Sequence, residues 1–173
     1  MVKAPRLRRV LLTVHIIGSV GWIGAAATYL ALGVSAHAAL DVETVRAAWI
    51  GMELTGWFVI VPLAISAFVT GVLLSVATSW GLLRHYWVVA SLALTALSLG
   101  VVLFHLPTVS VMAEAARSSD DADVLELGGE VIHPALGLVV LTVITALNVH
   151  KPRGLTPYGA RKQAEPRAEP VGS

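Results

Sequence analysis

"LLTVHIIGSVGWIGAA" (residues 11–26) decides the fold of this chain. The run holds no Asp, Glu, Lys or Arg, and the charge-free stretch around it covers residues 10–40. Its one ionisable side chain is His15. Apolar segments of about 20 residues without charge are long enough to cross a bilayer as helices. Three more follow, at residues 54–83, 85–113 and 131–150. Four spans are therefore expected near 10–32, 55–78, 86–104 and 131–149, as an all-α, four-helix transmembrane bundle over residues 1–151. Composition agrees: 13% of residues are charged, against about a quarter in soluble domains. The lipid bilayer is thus the first expected partner.

The charges between the spans predict the orientation. Lys3, Arg6, Arg8 and Arg9 precede the first span, and Lys151, Arg153, Arg161, Lys162 and Arg167 follow the fourth. The first and third loops carry nine acidic residues, Asp41 to Glu130, against Arg46 and Arg117; the short second loop carries Arg84. Basic segments stay on the cytoplasmic side, which predicts cytoplasmic N and C termini in a multi-pass protein of the bacterial inner membrane. "VSAHA" (residues 34–38) offers a small-x-small cleavage pattern. The apolar run before it exceeds the roughly 7–15 residues of a signal peptide, so a retained span is expected.

There is no cysteine, which excludes disulfides, thiolate metal sites and thioether-linked haem. Residues 152–173 are rich in Pro, Gly and charge and are expected to be a disordered tail, its basic half near anionic headgroups. No phosphate loop, nucleic-acid motif or hydrolytic constellation is present.

In the first loop, Asp41 is placed to cap a helix whose Val42, Val45, Trp49 and Met52 share one face. That helix either lies on the membrane surface or packs on the bundle. The third loop reads as a solvated connection without function. Gly18, Gly21 and Gly24 make a notched face on span one, suited to close helix packing or to a flat porphyrin. Pro62 is expected to kink span two, and Pro107 to end span three.

All six histidines lie within or at the ends of the spans and form two layers. His15, His85 and His150 fall toward the cytoplasm, and His37, His105 and His133 toward the outside. Ionisable groups in a membrane are costly and mark sites, and imidazole is the commonest metal ligand. Three readings compete. Opposed imidazoles could clamp one or two haems between helices. The histidines could handle copper, although Met1, Met52 and Met112 supply few soft ligands. Each could instead be structural, the expected role for His37, His85 and His150. His15, deep in span one with Gly18 and Trp22 beside it, is the strongest ligand candidate. His133 follows, with Pro134 opening its helix and Gly137 one turn on.

"HIIGSVGWIGAA" (residues 15–26) resembles the first-helix signature, His followed by Gly-Trp-x-Gly, of a broad bacterial superfamily of small membrane proteins. That group includes copper-resistance D-type proteins and the haem-binding membrane protoporphyrinogen oxidase. Residues 59–89 and "KPRGLTPYG" (residues 151–159) resemble a closer set of four-helix bacterial membrane proteins. The resemblance implies a haem-b or copper-associated bundle with His15 as the first-helix histidine. The oxidase group carries a lysine in its third helix shortly after a Trp. "WVVASLALT" (residues 87–95) offers Ser91 instead, so haem binding is implied rather than porphyrin oxidation.

The expectation is a cytochrome-like protein that binds haem b and carries electrons within or across the membrane. His15 pairs with His85 on one side and His105 with His133 on the other, with Gly18, Trp22 and Gly137 against the cofactor and His37 and His150 as further ligands. Copper handling is the first alternative. The second is an accessory subunit that docks on a larger membrane complex or redox partner through the glycine face, or self-associates there.

Overall fold

A computed structural model describes residues 5–78 and 81–164. Among them the chain forms α1 (Pro5–Ala38), α2 (Val42–Thr55), a π-helical turn (Gly56–Ile60), α3 (Val61–Ala77), α4 (Tyr86–Ser118), α5 (Asp121–Glu126), α6 (Ile132–His150) and α7 (Pro157–Ala164). Four helical rods are long and apolar enough to span a membrane, with α2, the π turn and α3 running on as one rod of 36 residues. α1 packs on α2, α3 and α6, and α4 packs on the same three. α1 and α4 therefore stand at opposite corners of a four-helix bundle.

The rods differ in length. At 1.5 Å per residue the 19 residues of α6 reach about 28 Å, close to the roughly 30 Å of a hydrocarbon core. α1, the α2–α3 rod and α4 have 34, 36 and 33 residues and reach about 50 Å. In α4 and the α2–α3 rod the excess gathers at the end of the bundle bearing the acidic loops, where α5 packs on α2. Met52, Val45, Val109 and Val124, the largest fully buried side chains, all lie there. Lower down, Val69, Leu73, Leu97, Val139 and Val143 face outward, as a lipid-facing surface requires.

The first loop is where the expected spans need most correction. Asp41 caps α2, its Oδ1 accepting from the Thr44 amide at 2.8 Å. The helix does not lie on a membrane surface. Its Val45–Trp49–Met52 face is buried in the bundle, and burial of three large apolar side chains outweighs an interfacial position. α2 then continues into span two through the π turn, where the Val61 amide donates to Gly56 O. Pro62, which has no amide to donate, follows at once. A π turn is one way a helix passes such a residue.

Pro107 does not end span three. α4 runs through it to Ser118, because Leu106, Val109, Ala113 and Ala116 continue one buried stripe beyond the proline. Arg46 secures the far end. Its guanidinium donates to the carbonyls of Ala116, Arg117 and Ser119 and to Asp121, a cation where the helix leaves its carbonyls unpaired.

The segment after span four also differs from expectation. Residues 157–164 are helical, and the preceding strand-like stretch docks on the second loop. The Tyr86 amide donates to Gly154 O, the Thr156 amide to Arg84 O, and the Thr156 hydroxyl to Leu83 O. The Thr156 Oγ1 accepts from the Gly159 amide and Pro157 opens the helix, a cap followed by proline at the first helical position. Gly159 lies so close to the Arg84 carbonyl that a Cβ would fall 2.3 Å from it. Residues 165–173, the rest of the expected tail, lie outside the described residues.

Candidate metal centre and its groove

Three residues meet where α6 begins. α4 brings His105, the first turn of α6 brings His133, and the loop between them brings Glu130. The two imidazoles stack, with ring centroids 4.1 Å apart and planes inclined by 25°. Glu130 reaches both. Its Oε1 accepts from the His133 amide at 3.2 Å and lies 2.9 Å from His133 Nδ1. Its Oε2 lies 3.5 Å from His105 Nε2, close enough for charge attraction but outside good hydrogen-bond geometry, so His105 Nε2 is buried without a hydrogen-bond partner.

The loop is fixed by backbone contact. A Cβ on Gly33 of α1 would stand 1.8 Å from the Glu130 carbonyl oxygen, and one on Gly129 would stand 2.0 Å from Gly33 O. Only two glycines permit that approach. The Trp49 indole donates to Gly128 O at 3.0 Å, and Gly128 takes a left-handed φ of 57°, as glycine readily does. The carboxylate is thus held from behind by α1 and α2 and aimed at the two rings. Burial pushes the Glu130 carboxyl up, but hydrogen bonds from His133 and the nearby imidazoles more than offset this and hold it below the usual carboxylate range.

Ligand atoms of His105, Glu130 and His133 all lie within 4.8 Å of one another. Ligands about 2.0–2.2 Å from one ion stand roughly 3 Å apart, so the set needs little contraction to share a cation. Two imidazoles and one carboxylate suit divalent first-row transition metals, and three protein ligands leave positions open. Glu130 was not anticipated, because the third loop reads as a solvated connection. The signal was present: Glu130 and His133 form Glu-x-x-His, which places both groups on one face at the start of a helix.

Below the cluster runs an apolar groove of about 250 Å3 between α4 and α6, floored by α1 and the π turn. His105 and His133 stand at one end, and Trp22, Tyr29 and Gly137 line it. Four of the expected site residues, Trp22, His105, His133 and Gly137, are thereby brought to one place. A haem does not fit between the two rings as they lie, since parallel faces 4.1 Å apart leave no room for a macrocycle. The groove is also smaller than the roughly 300–1,000 Å3 that encloses drug-sized ligands.

The other histidines are engaged elsewhere. His15 Nδ1 lies 3.0 Å from Ala67 O and 3.1 Å from Thr70 Oγ1. Since the Thr70 hydroxyl donates to Ser66 O at 2.6 Å, the proton belongs on Nδ1, which donates to the Ala67 carbonyl. Gly71 makes room for the ring: a Cβ there would lie 3.2 Å from His15 Cε1. Gly18 serves the same helix contact, 3.2 Å from the Ala67 amide nitrogen by the same measure. His85 precedes α4, forms an antiparallel bridge with Leu155 and sets its ring 6.5 Å from that of Trp87. His150 Nδ1 lies 3.0 Å from Ala146 O of its own helix. The backbone of His37 abuts Gly129.

No family model matches the chain, and no characterised protein or solved structure is significantly similar to it. Function is therefore argued from the site.

Proposed function

We propose that the protein is a membrane metal-binding protein that takes up one divalent first-row transition ion through His105, Glu130 and His133. The observation that supports this most directly is the Glu130 carboxylate, held by backbone contacts at Gly33 and Gly129 between imidazoles from two helices. Imidazole and carboxylate without thiolate favour copper(II) over copper(I), and copper(II) binds tightest of the divalent series. The positive-inside asymmetry supports a cluster that faces the non-cytoplasmic side of a bacterial inner membrane. Metal uptake or sensing from that side is the role that follows.

The test is calorimetric titration of chelator-stripped protein in mild detergent with copper(II) and zinc(II). One site per chain is expected. Glu130→Gln is expected to weaken it by at least about 10–100-fold, and His105→Ala or His133→Ala to abolish it. Retention of full affinity in all three variants would overturn the reading. Haem b, the cofactor expected from the sequence, would require the stacked imidazoles to part and the groove to widen. It predicts a Soret band in protein from haem-replete cells, with one imidazole as ligand and the electron-carrying role that a haem would supply.

A further inference from the structure

Among the described residues, the Tyr29 hydroxyl is a buried polar group that the metal cluster does not use. The side chain is only 6% exposed, its hydroxyl has no hydrogen-bond partner, and it lines the groove. Each buried polar group left unpaired costs about 1–3 kcal/mol, and buried tyrosine hydroxyls ordinarily find partners. An unpaired hydroxyl on a groove with largely apolar walls suits a ligand with a hydrogen-bonding head and a greasy body.

The walls define the body. Trp22, seven residues before Tyr29, stands about 10 Å further down α1, room for one ring and the first carbons of a tail. Gly137 contributes an opening, because a Cβ there would meet nothing within 4 Å. The lip consists of Leu97, Val101 and Leu136, which are 63%, 45% and 61% exposed. These residues lie on the lipid-facing sides of α4 and α6, so the groove opens sideways into the bilayer.

We propose that this groove binds the head ring of a lipid-soluble quinone, entering laterally, with a ring carbonyl accepting from the Tyr29 hydroxyl and the ring lying toward Trp22. An acyl chain supplies no acceptor for Tyr29. A sterol is four fused rings, too bulky for about 250 Å3, and a charged headgroup would be stranded among apolar walls. The inference rests on the groove and stands apart from the metal reading.

The experiment is saturation binding of a radiolabelled benzoquinone carrying a ten-carbon chain to protein in lipid nanodiscs, with empty nanodiscs as the blank. One saturable site is expected. Tyr29→Phe should weaken it by about tenfold, the loss of one buried hydrogen bond, and Gly137→Leu should eliminate it by filling the groove. Melting temperatures of both variants verify that they are folded. Uptake no greater than the blank, equal affinity in Tyr29→Phe, or equally tight binding of the analogue with a saturated, carbonyl-free ring would each overturn the proposal. The copper(II) titration repeated on Tyr29→Phe separates the two readings: metal binding should persist where quinone binding weakens.

Discussion

Glu130 ties three elements together through one side chain, and its protonation should be visible in stability. Its carboxyl is held below the ordinary value of 4.5, since the hydrogen bonds from His133 and the neighbouring imidazoles outweigh the burial that opposes them. A carboxyl with a depressed folded pKa contributes stability above its unfolded value and loses it as pH falls through the folded one. The melting temperature of the metal-free protein should therefore exceed that of Glu130→Gln at pH 5. The margin should close as pH drops below 4.5, and one that is flat down to pH 3 would contradict this account. His15 answers a different question at the same scale. An imidazole deep in an apolar helix needs a partner, and it finds the Ala67 carbonyl. A helix-buried carbonyl already accepts its own helix's amide, so it can serve as a second acceptor site. No pattern in span one alone could reveal that the partner sits in span two. That Nδ1–H bond leaves Nε2 with its lone pair.

At the scale of elements, the glycines separate into those that hold helices together and those that do not. Gly33 and Gly129 sit where any Cβ would strike backbone, whereas Gly24 and Gly100 meet nothing within 4 Å. Gly33→Ala and Gly129→Ala should each destabilise the protein by about 1–3 kcal/mol or more and weaken metal binding, because Glu130 would be displaced. Gly24→Ala and Gly100→Ala should be neutral or stabilising by up to about 1 kcal/mol. Denaturant titration in detergent distinguishes the pairs, and equal effects would remove the argument for close approach. Gly24 was grouped with Gly18 and Gly21 as one face. The structure divides them, since only Gly18 and Gly21 press on span two. The docked tail makes a second prediction. Thr156→Val removes the cap on α7 and one tether to Leu83, so amides of residues 158–164 should exchange roughly fivefold faster, the effect of about 1 kcal/mol. The Thr-Pro pair that starts this helix is a cap signal, set in a segment whose charge and proline content suggest disorder.

For the whole molecule, hydropathy sufficed to count the spans, because a bilayer leaves few ways to satisfy a backbone. It did not find their ends. Val42–Thr55 and the part of α4 beyond Pro107 are helical for a reason outside hydropathy: they bury an apolar stripe against one another above the hydrocarbon, as soluble helices do. The candidate site was half legible. Histidines announce themselves in apolar sequence, and His105 and His133 were paired by depth alone. Glu130 and Tyr29 were hidden, one in a loop rich in other carboxylates and the other among ordinary interfacial aromatics, and only the folded chain brings Glu130 to the two imidazoles and Tyr29 to the groove.

The shortness of α6 has a consequence of its own. Three rods overshoot the hydrocarbon and can slide or lean within it, but a 19-residue rod has no slack. Bilayers stretch or compress around such a segment, or the segment shifts, at a cost of fractions of a kcal/mol per ångström of mismatch. His133 rides on the end of that rod, while His105 is anchored in the middle of a longer one. A thicker bilayer should draw His133 inward relative to His105 and open the cluster. Copper(II) affinity measured in nanodiscs of increasing acyl-chain length should fall beyond the length that α6 matches. Affinity independent of lipid thickness would show the two rods moving together. In the first case the chain is a gauge of the membrane around it, with ligand separation as its scale.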